Sequence, residues 1–169
     1  MRTDTDPTAP PIDLPANCVY LADTNELIPQ HRGYELTPCE AQKLPVGDYS
    51  VRVGVMDCSH LVVVERKSLE NILGEVTVGR RRWEECLQRM ADQVRSAHVV
   101  IESTWERLGR GGWRHTKVHP NAVQGSIVSW MTRFRVCWHF LPGRLEAMRM
   151  TRWLLNRAAT DIAEGHASG

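Results

Sequence analysis

The stretch from Leu61 to Lys67 constrains the chain most. A largely β-branched run, Leu-Val-Val-Val, passes without a break into Glu65, Arg66 and Lys67. β-Branched residues suit the pleated, half-buried surface of a sheet, and charges at the end of such a strand are costly to bury unless something offsets them. Upstream, between Val46 and Val53, Tyr49, Val51 and Val53 alternate with Asp48, Ser50 and Arg52, the period of two that marks a strand with one face inward. Gly54 and the Asp57 to His60 turn separate the two segments, which are therefore expected to pair as a hairpin. Alternation puts Glu65 and Lys67 on one face and Arg66 on the other. Asp48, on the partner strand, then reaches the same end of the sheet.

Around this hairpin the chain alternates strands and helices. Cys18 to Ala22 reads as a first strand ending at Asp23, followed by a loop through Pro29 and Gly33. Ser68 caps a short helix through Leu73, and a longer helix from about Arg80 carries Trp83, Leu87, Met90 and Val94 on one face. His98 to Glu102 reads as a buried strand. Gly109, Gly111 and Gly112 mark a loop within Trp105 to His119, and Pro120 suits the first turn of a helix with Val123, Ile127, Trp130 and Met131 inward. Val136 to Phe140 is the last strand, and Pro142 and Gly143 lead into a final helix with Leu145, Met148 and Leu155 inward. The expected class is α/β, a mixed sheet with helices on both sides. Residues 1–16, rich in Pro, Thr and Asp, read as a disordered lead-in, residues 17–160 as one domain and residues 161–169 as a flexible tail.

Two carboxylates brought together by the hairpin repel unless a cation lies between them. Mg²⁺ takes oxygen ligands, keeps several waters and commonly uses one or two carboxylates with substrate phosphate oxygens. Asp48 and Glu65 thus suit a hard divalent metal, and Lys67 beside them suits stabilisation of charge on a phosphodiester under attack. A bare E-x-K far more often marks a structural salt bridge, so the specificity comes from context.

Composition removes several classes. The 169 residues carry a formal net charge of +1, so nucleic-acid contact must come from local clusters. Five scattered cysteines with no C-x-x-C spacing fit neither a zinc ribbon nor a disulfide framework and suit a reducing cytoplasm. No stretch is apolar for the ~20 residues a membrane crossing needs.

The context is LPVGDYSV from Leu44 to Val51, then VVVERKSLENIL from Val62 to Leu73. These strings closely resemble the nuclease domain of the XPF family of structure-specific endonucleases, and the resemblance extends from about Cys18 to Leu155 through GRRRWEECLQRM, HVVIES and HPNAVQGSIVSW. It implies a restriction-endonuclease-like fold, Mg²⁺ or Mn²⁺ as cofactor, Asp48 and Glu65 as metal ligands, and Arg66 and Lys67 as the basic part of the motif. The family's acidic element, D-x-R-E, is matched by Asp23 and Glu26, with Asn25 in place of Arg. Asn71 stands where the family has Asp. The resemblance further implies a stand-alone domain of bacterial or phage type, without the paired helix-hairpin-helix module of larger members, acting on branched or junction DNA in repair, recombination or replication. Pairing into a homodimer through the nuclease domain, or with a partner subunit, belongs to the same expectation.

Arg80, Arg81 and Arg82 open a helix, where cations oppose the dipole and an anionic partner relieves them. With Gly79 and Arg80 matching a Gly-Arg of the family, they read as phosphate contacts. The loop bearing Arg107, Arg110, Arg114, His115, Lys117 and His119, with Trp113 among glycines, reads as a second DNA contact or as an exposed polar loop. His115 and His119 lack partners at zinc spacing. Trp83, Trp130, Trp138 and Trp153 are assigned to the core, and Tyr49 to packing. The replacements at Asn25 and Asn71 motivate a second reading, a catalytically weak or inactive relative that binds DNA or a partner.

Overall fold

The computed structural model describes residues 13–26, 33–114 and 116–165. Most of the lead-in, the Pro29 loop, His115 and the last four residues lie outside them. Seven strands form one mixed sheet: β1 (Cys18–Asp23), β2 (Cys39–Gln42), β3 (Tyr49–Val53), β4 (Met56–Asp57), β5 (Val62–Lys67), β6 (Ser96–Ile101) and β7 (Cys137–Phe140). Their order is β2-β1-β3-β5-β6-β7, with the short β4 folded back on β3. β3 runs antiparallel to both β1 and β5, while β5, β6 and β7 run parallel. The expected hairpin is present, pairing Tyr49 with Val64. Ser50 departs from simple alternation: it is fully buried, and its hydroxyl donates to the Val62 carbonyl at 2.8 Å.

The helices are α1 (Leu69–Val76), α2 (Arg80–Gln93), α3 (Trp105–Arg110), α4 (Pro120–Arg133) and α5 (Arg144–Ala163). Ser68 caps α1 by accepting from Asn71 N, and Pro120 occupies the first turn of α4. Trp83, Leu87 and Met90 bury one stripe of α2 against Val63, Val99 and Ile101 of the sheet. Helices α1 to α4 share this core. On the opposite face α5 packs Ala147, Leu155 and Ala159 over Val62, Val64 and Val100. Successive residues of β5 therefore point into different helical layers, which is what separates Arg66 from Glu65 and Lys67.

Several sequence expectations are corrected. Gly109 lies inside α3, not in a loop, because Thr104 caps that helix by accepting from Arg107 N at 3.2 Å. β2 has no counterpart in the sequence reading; it is an edge strand with three exposed residues and no apolar alternation. Met131 is 44% exposed because it lies at the margin of the stripe made by Val123, Ile127 and Trp130. Leu145 is 56% exposed; it precedes Ala147 by two residues, which at about 3.6 residues per turn carries it to the far side of α5. α5 continues through Ala163, into the stretch read as a tail.

On the α5 side, His98 and His139 meet across β6 and β7, Nδ1 to Nε2 at 3.1 Å, with Ser96 Oγ 2.9 Å from the other His98 nitrogen. Burial, and secondarily His139, pushes the His98 pKa down to about 4 from its ordinary 6.5. Between those values the unfolded chain binds a proton that the folded chain refuses, so stability is complete above the ordinary value and is lost as pH falls through this window. Melting temperature is expected to drop on acidification from neutrality towards pH about 4, and less steeply in His98→Gln. Equal slopes for the two proteins would remove His98 from the account.

Candidate active site

Backbone geometry comes first. Gly47 has φ of +80°, and a Cβ there would lie 2.9 Å from Cβ of Val63, so both the conformation and the close approach require glycine. The next residue, Asp48, is bonded to both neighbouring strands: its N–H donates to the Val64 carbonyl at 2.9 Å, and its carbonyl accepts from Asp23 N at 2.8 Å. Its side chain is tied as well, Oδ2 accepting from Arg66 N at 2.7 Å. Asp48 and the end of β5 thus form one rigid unit.

Asp48, Glu65, Arg66 and Lys67 line an open cavity of about 1000 Å³ at this end of the sheet, together with Glu26, Glu75, Glu102 and Arg82. The Asp48 carboxyl is raised well above the ordinary carboxylate range, by burial first, then by the charges of Glu65 and Glu26. On the α2 side, Lys67 Nζ lies 2.8 Å from Glu65 Oε1, 3.3 Å from Glu75 Oε1 and 4.4 Å from the centre of the Trp83 ring. Burial favours loss of its proton, but Glu65, Asp48 and Glu75 outweigh that and raise its pKa, so it is an ammonium at any physiological pH.

On the α5 side, Arg66 Nε donates to Glu102 Oε1 at 2.7 Å, and a second guanidinium nitrogen lies 3.7 Å from Glu26 Oε2. The Arg66 and Arg144 guanidinium groups both lie over the Tyr34 ring, at 5.3 and 5.2 Å. Glu26 also accepts from the Tyr49 hydroxyl at 2.8 Å, which gives the buried Tyr49 a hydrogen-bonding task beyond packing. Asp23 serves differently. It accepts from Asn25 N and Leu44 N and pairs with Lys43 at 3.1 Å. Burial would raise its pKa, but these partners together hold it below the ordinary value. Asp23 thus organises the chain around β1, while Glu26 reaches the cavity.

The structure also sorts the basic residues. Arg80 turns away from the cavity, donating to Ser126 Oγ at 2.8 Å, pairing with Glu84 at 3.1 Å and covering Trp130. Arg81 is exposed and pairs with Glu85 at 3.0 Å. Arg82 and Arg89, the latter not singled out by the sequence, line the cavity instead. Arg114 lies with Arg107 and the half-buried Trp113 along an adjoining groove, which shares Glu70 and Gly74 with the cavity. Lys117 is exposed beyond it. Glu75, Glu102 and Arg144 were missed. Glu102 carries the same signal as the Glu65 to Lys67 run, a charge closing an apolar strand, and Glu75 is a charge on the buried face of an amphipathic helix.

The model of the ERCC4 domain matches residues 22–152. The chain belongs to this family and carries an XPF-type nuclease domain. Among solved structures it is similar to XPF from Aeropyrum pernix, with a TM-score of 0.60 and 15% identity over 84% of this chain and 61% of that one. It is similar also to XPF from Aeropyrum pernix in complex with DNA, with a TM-score of 0.57 and 16% identity over 85% of this chain and 66% of that one. The chain therefore spans about two thirds or less of the length of these structures, and at such identities the likeness is one of fold: the restriction-endonuclease-like α/β sheet. No curated protein matches the chain.

The Glu102 network offers a direct test of what braces the site. Glu102→Ala removes the closest carboxylate from Arg66, whose side chain is only 9% exposed. Arg66 keeps Glu26 at 3.7 Å, so the expected cost is about 1.5–3 kcal/mol, that of a hydrogen bond to a charged group, which a urea unfolding midpoint would register. A loss below about 0.5 kcal/mol, the range of ordinary surface changes, would show that the network adds nothing to stability.

Proposed function

We propose that this chain is a metal-dependent DNA endonuclease, with one nuclease domain spanning residues 17–160, that hydrolyses phosphodiester bonds in branched or junction DNA. The observation that carries the reading is the placement of the Asp48 and Glu65 carboxylates on the wall of one cavity, with Glu26 beside them; burial and the charges of Glu65 and Glu26 raise the Asp48 pKa, a local deficit of positive charge. A hard divalent cation relieves that deficit. The donor set fits Mg²⁺ or Mn²⁺. Asp48 Oδ2 is engaged by Arg66 N, which leaves Oδ1 to serve as a metal donor, and Glu65 is the second carboxylate. Among the described residues no group of three or more His, Cys, Asp or Glu side chains is placed to hold a metal ion, so an ion here would take its remaining ligands from water and phosphate oxygens.

When bound, such an ion supplies Lewis acidity towards a phosphate oxygen and lowers the pKa of a water. The chain's own residues do the rest. Lys67, beside Glu65, offers positive charge where negative charge builds on the phosphodiester. Arg66 acts through its backbone, fixing the Asp48 carboxylate, while its guanidinium braces Glu26 and Glu102 below. Arg82 and Arg89 at the cavity, Arg114 along the neighbouring groove and the exposed Lys117 supply charge for the DNA backbone. Among the described residues no helix is long and apolar enough to cross a membrane.

A panel of flap, fork, Holliday-junction and duplex DNA, with Mg²⁺ and with Mn²⁺, is expected to show cleavage preferring a branched substrate. Asp48→Asn and Glu65→Gln are each expected to abolish cleavage while DNA binding persists. Undiminished cleavage in both variants excludes the site. In binding titrations, Arg114→Ala is expected to weaken affinity uniformly across sequences and reduce the salt slope by about 1, the signature of one lost phosphate contact. An unchanged slope would take Arg114 out of the interface.

A further inference from the structure

We propose that Glu75 is the positioning residue of this site: it shares the Lys67 ammonium with Glu65, so that Glu65 retains the negative charge a divalent cation needs. The proposal rests on the metal-dependent reading above. Glu75 stands on the face of α1 that otherwise buries Leu69, Ile72, Leu73 and Val76, and it is itself only 7% exposed. A carboxylate is expensive there without a cationic partner. Its partner is Lys67, 3.3 Å from Oε1, with Arg82 at 3.8 Å from the same oxygen.

The geometry limits what Lys67 can do. Its ammonium is held between Glu65 and Glu75 and lies over the Trp83 ring. Without Glu75 a larger share of its charge falls on Glu65, in direct competition with a metal ion. The charge count points the same way: Asp48, Glu65 and Glu75 set three carboxylates against the Lys67 ammonium and the more exposed Arg82 guanidinium, and loss of Glu75 leaves two. Both effects weaken attraction for a divalent cation.

A second feature shows how Glu75 is aimed. Its Oε2 is buried with no hydrogen-bond partner among the described residues, an exception that calls for a reason in a native fold. That oxygen packs against Gly79, where a Cβ would lie 2.2 Å from it. Gly79 itself has ordinary right-handed backbone angles, φ −86° and ψ −4°. The glycine is therefore needed for the room it leaves, not for its conformation, and shape holds the carboxylate towards Lys67. Asn71, one turn earlier on α1, lines the same cavity.

The test is a thermal melt of the full chain titrated with Mn²⁺ alone, because an ion that binds only the folded state raises the melting temperature saturably. In Glu75→Gln the Mn²⁺ midpoint is expected to rise about tenfold or more, the range found for residues that orient metal ligands. Gly79→Ala keeps every charge but displaces the Glu75 head, and is expected to raise the midpoint likewise, which decides the matter should Glu75→Gln fail to fold. Adding Asn71→Asp to Glu75→Gln returns a carboxylate to the same wall and is expected to recover most of the loss. Unchanged midpoints in both single variants overturn the proposal, as does a double variant with no recovery, since Glu75 would then act by packing alone. Wild-type protein that Mn²⁺ does not stabilise, or stabilises equally in Asp48→Asn, instead overturns the metal reading and this inference with it.

Discussion

Three hydrogen bonds around Asp48 hold the centre of this molecule in register. The amide reaches Val64, the carbonyl receives Asp23 N–H, and the carboxylate receives Arg66 N–H. A slip of one residue between β3 and β5 would turn every side chain of the motif to the opposite helical layer, and these bonds forbid it. Gly47 makes the arrangement possible by passing close to Val63 at a positive φ. The proximity of Asp23 and Glu26 to the cavity follows, since β1 is tied to the same residue that joins β3 to β5.

Because β5 lies between two helical layers, its terminal charges are divided between separate networks. Glu65 and Lys67 face α1 and α2, with Glu75 and Trp83. Arg66 faces α5, with Glu102, Glu26, Tyr34 and Arg144. One network surrounds the carboxylates assigned to metal; the other buttresses the backbone that presents Asp48. A buried charge that looks wasteful on either face is the counterion of a motif residue on that same face.

How much of this was legible in the chain follows from the range over which each feature acts. The hairpin and the separation of Arg66 from Glu65 and Lys67 could be read because period-two alternation is local and strong. The stripe of α2 was equally plain, with Trp83, Leu87 and Met90 all buried. β2 was invisible, since an exposed edge strand has no inward face to pattern. Gly109 misled because a short, well-capped helix tolerates a residue that more often marks a loop. Glu75 and Glu102 were silent for another reason: they meet Lys67 and Arg66 only through the docking of α1 and the parallel register of β6 against β5. Arg80 and Arg82 stand two residues apart in one basic run, and only the helix decides that one turns to α4 and the other to the cavity.

Trp83 belongs to two structures at once. Its indole packs edge-on against Trp130 and Trp138 in the main core, and the Lys67 ammonium rests on its ring. A mechanical path therefore runs from the buried face of α4 to the amine at the cavity. Repacking at Trp130, even where it left the fold intact, would tilt the platform beneath that amine, so in this domain the interior cannot drift through evolution without retuning its chemistry.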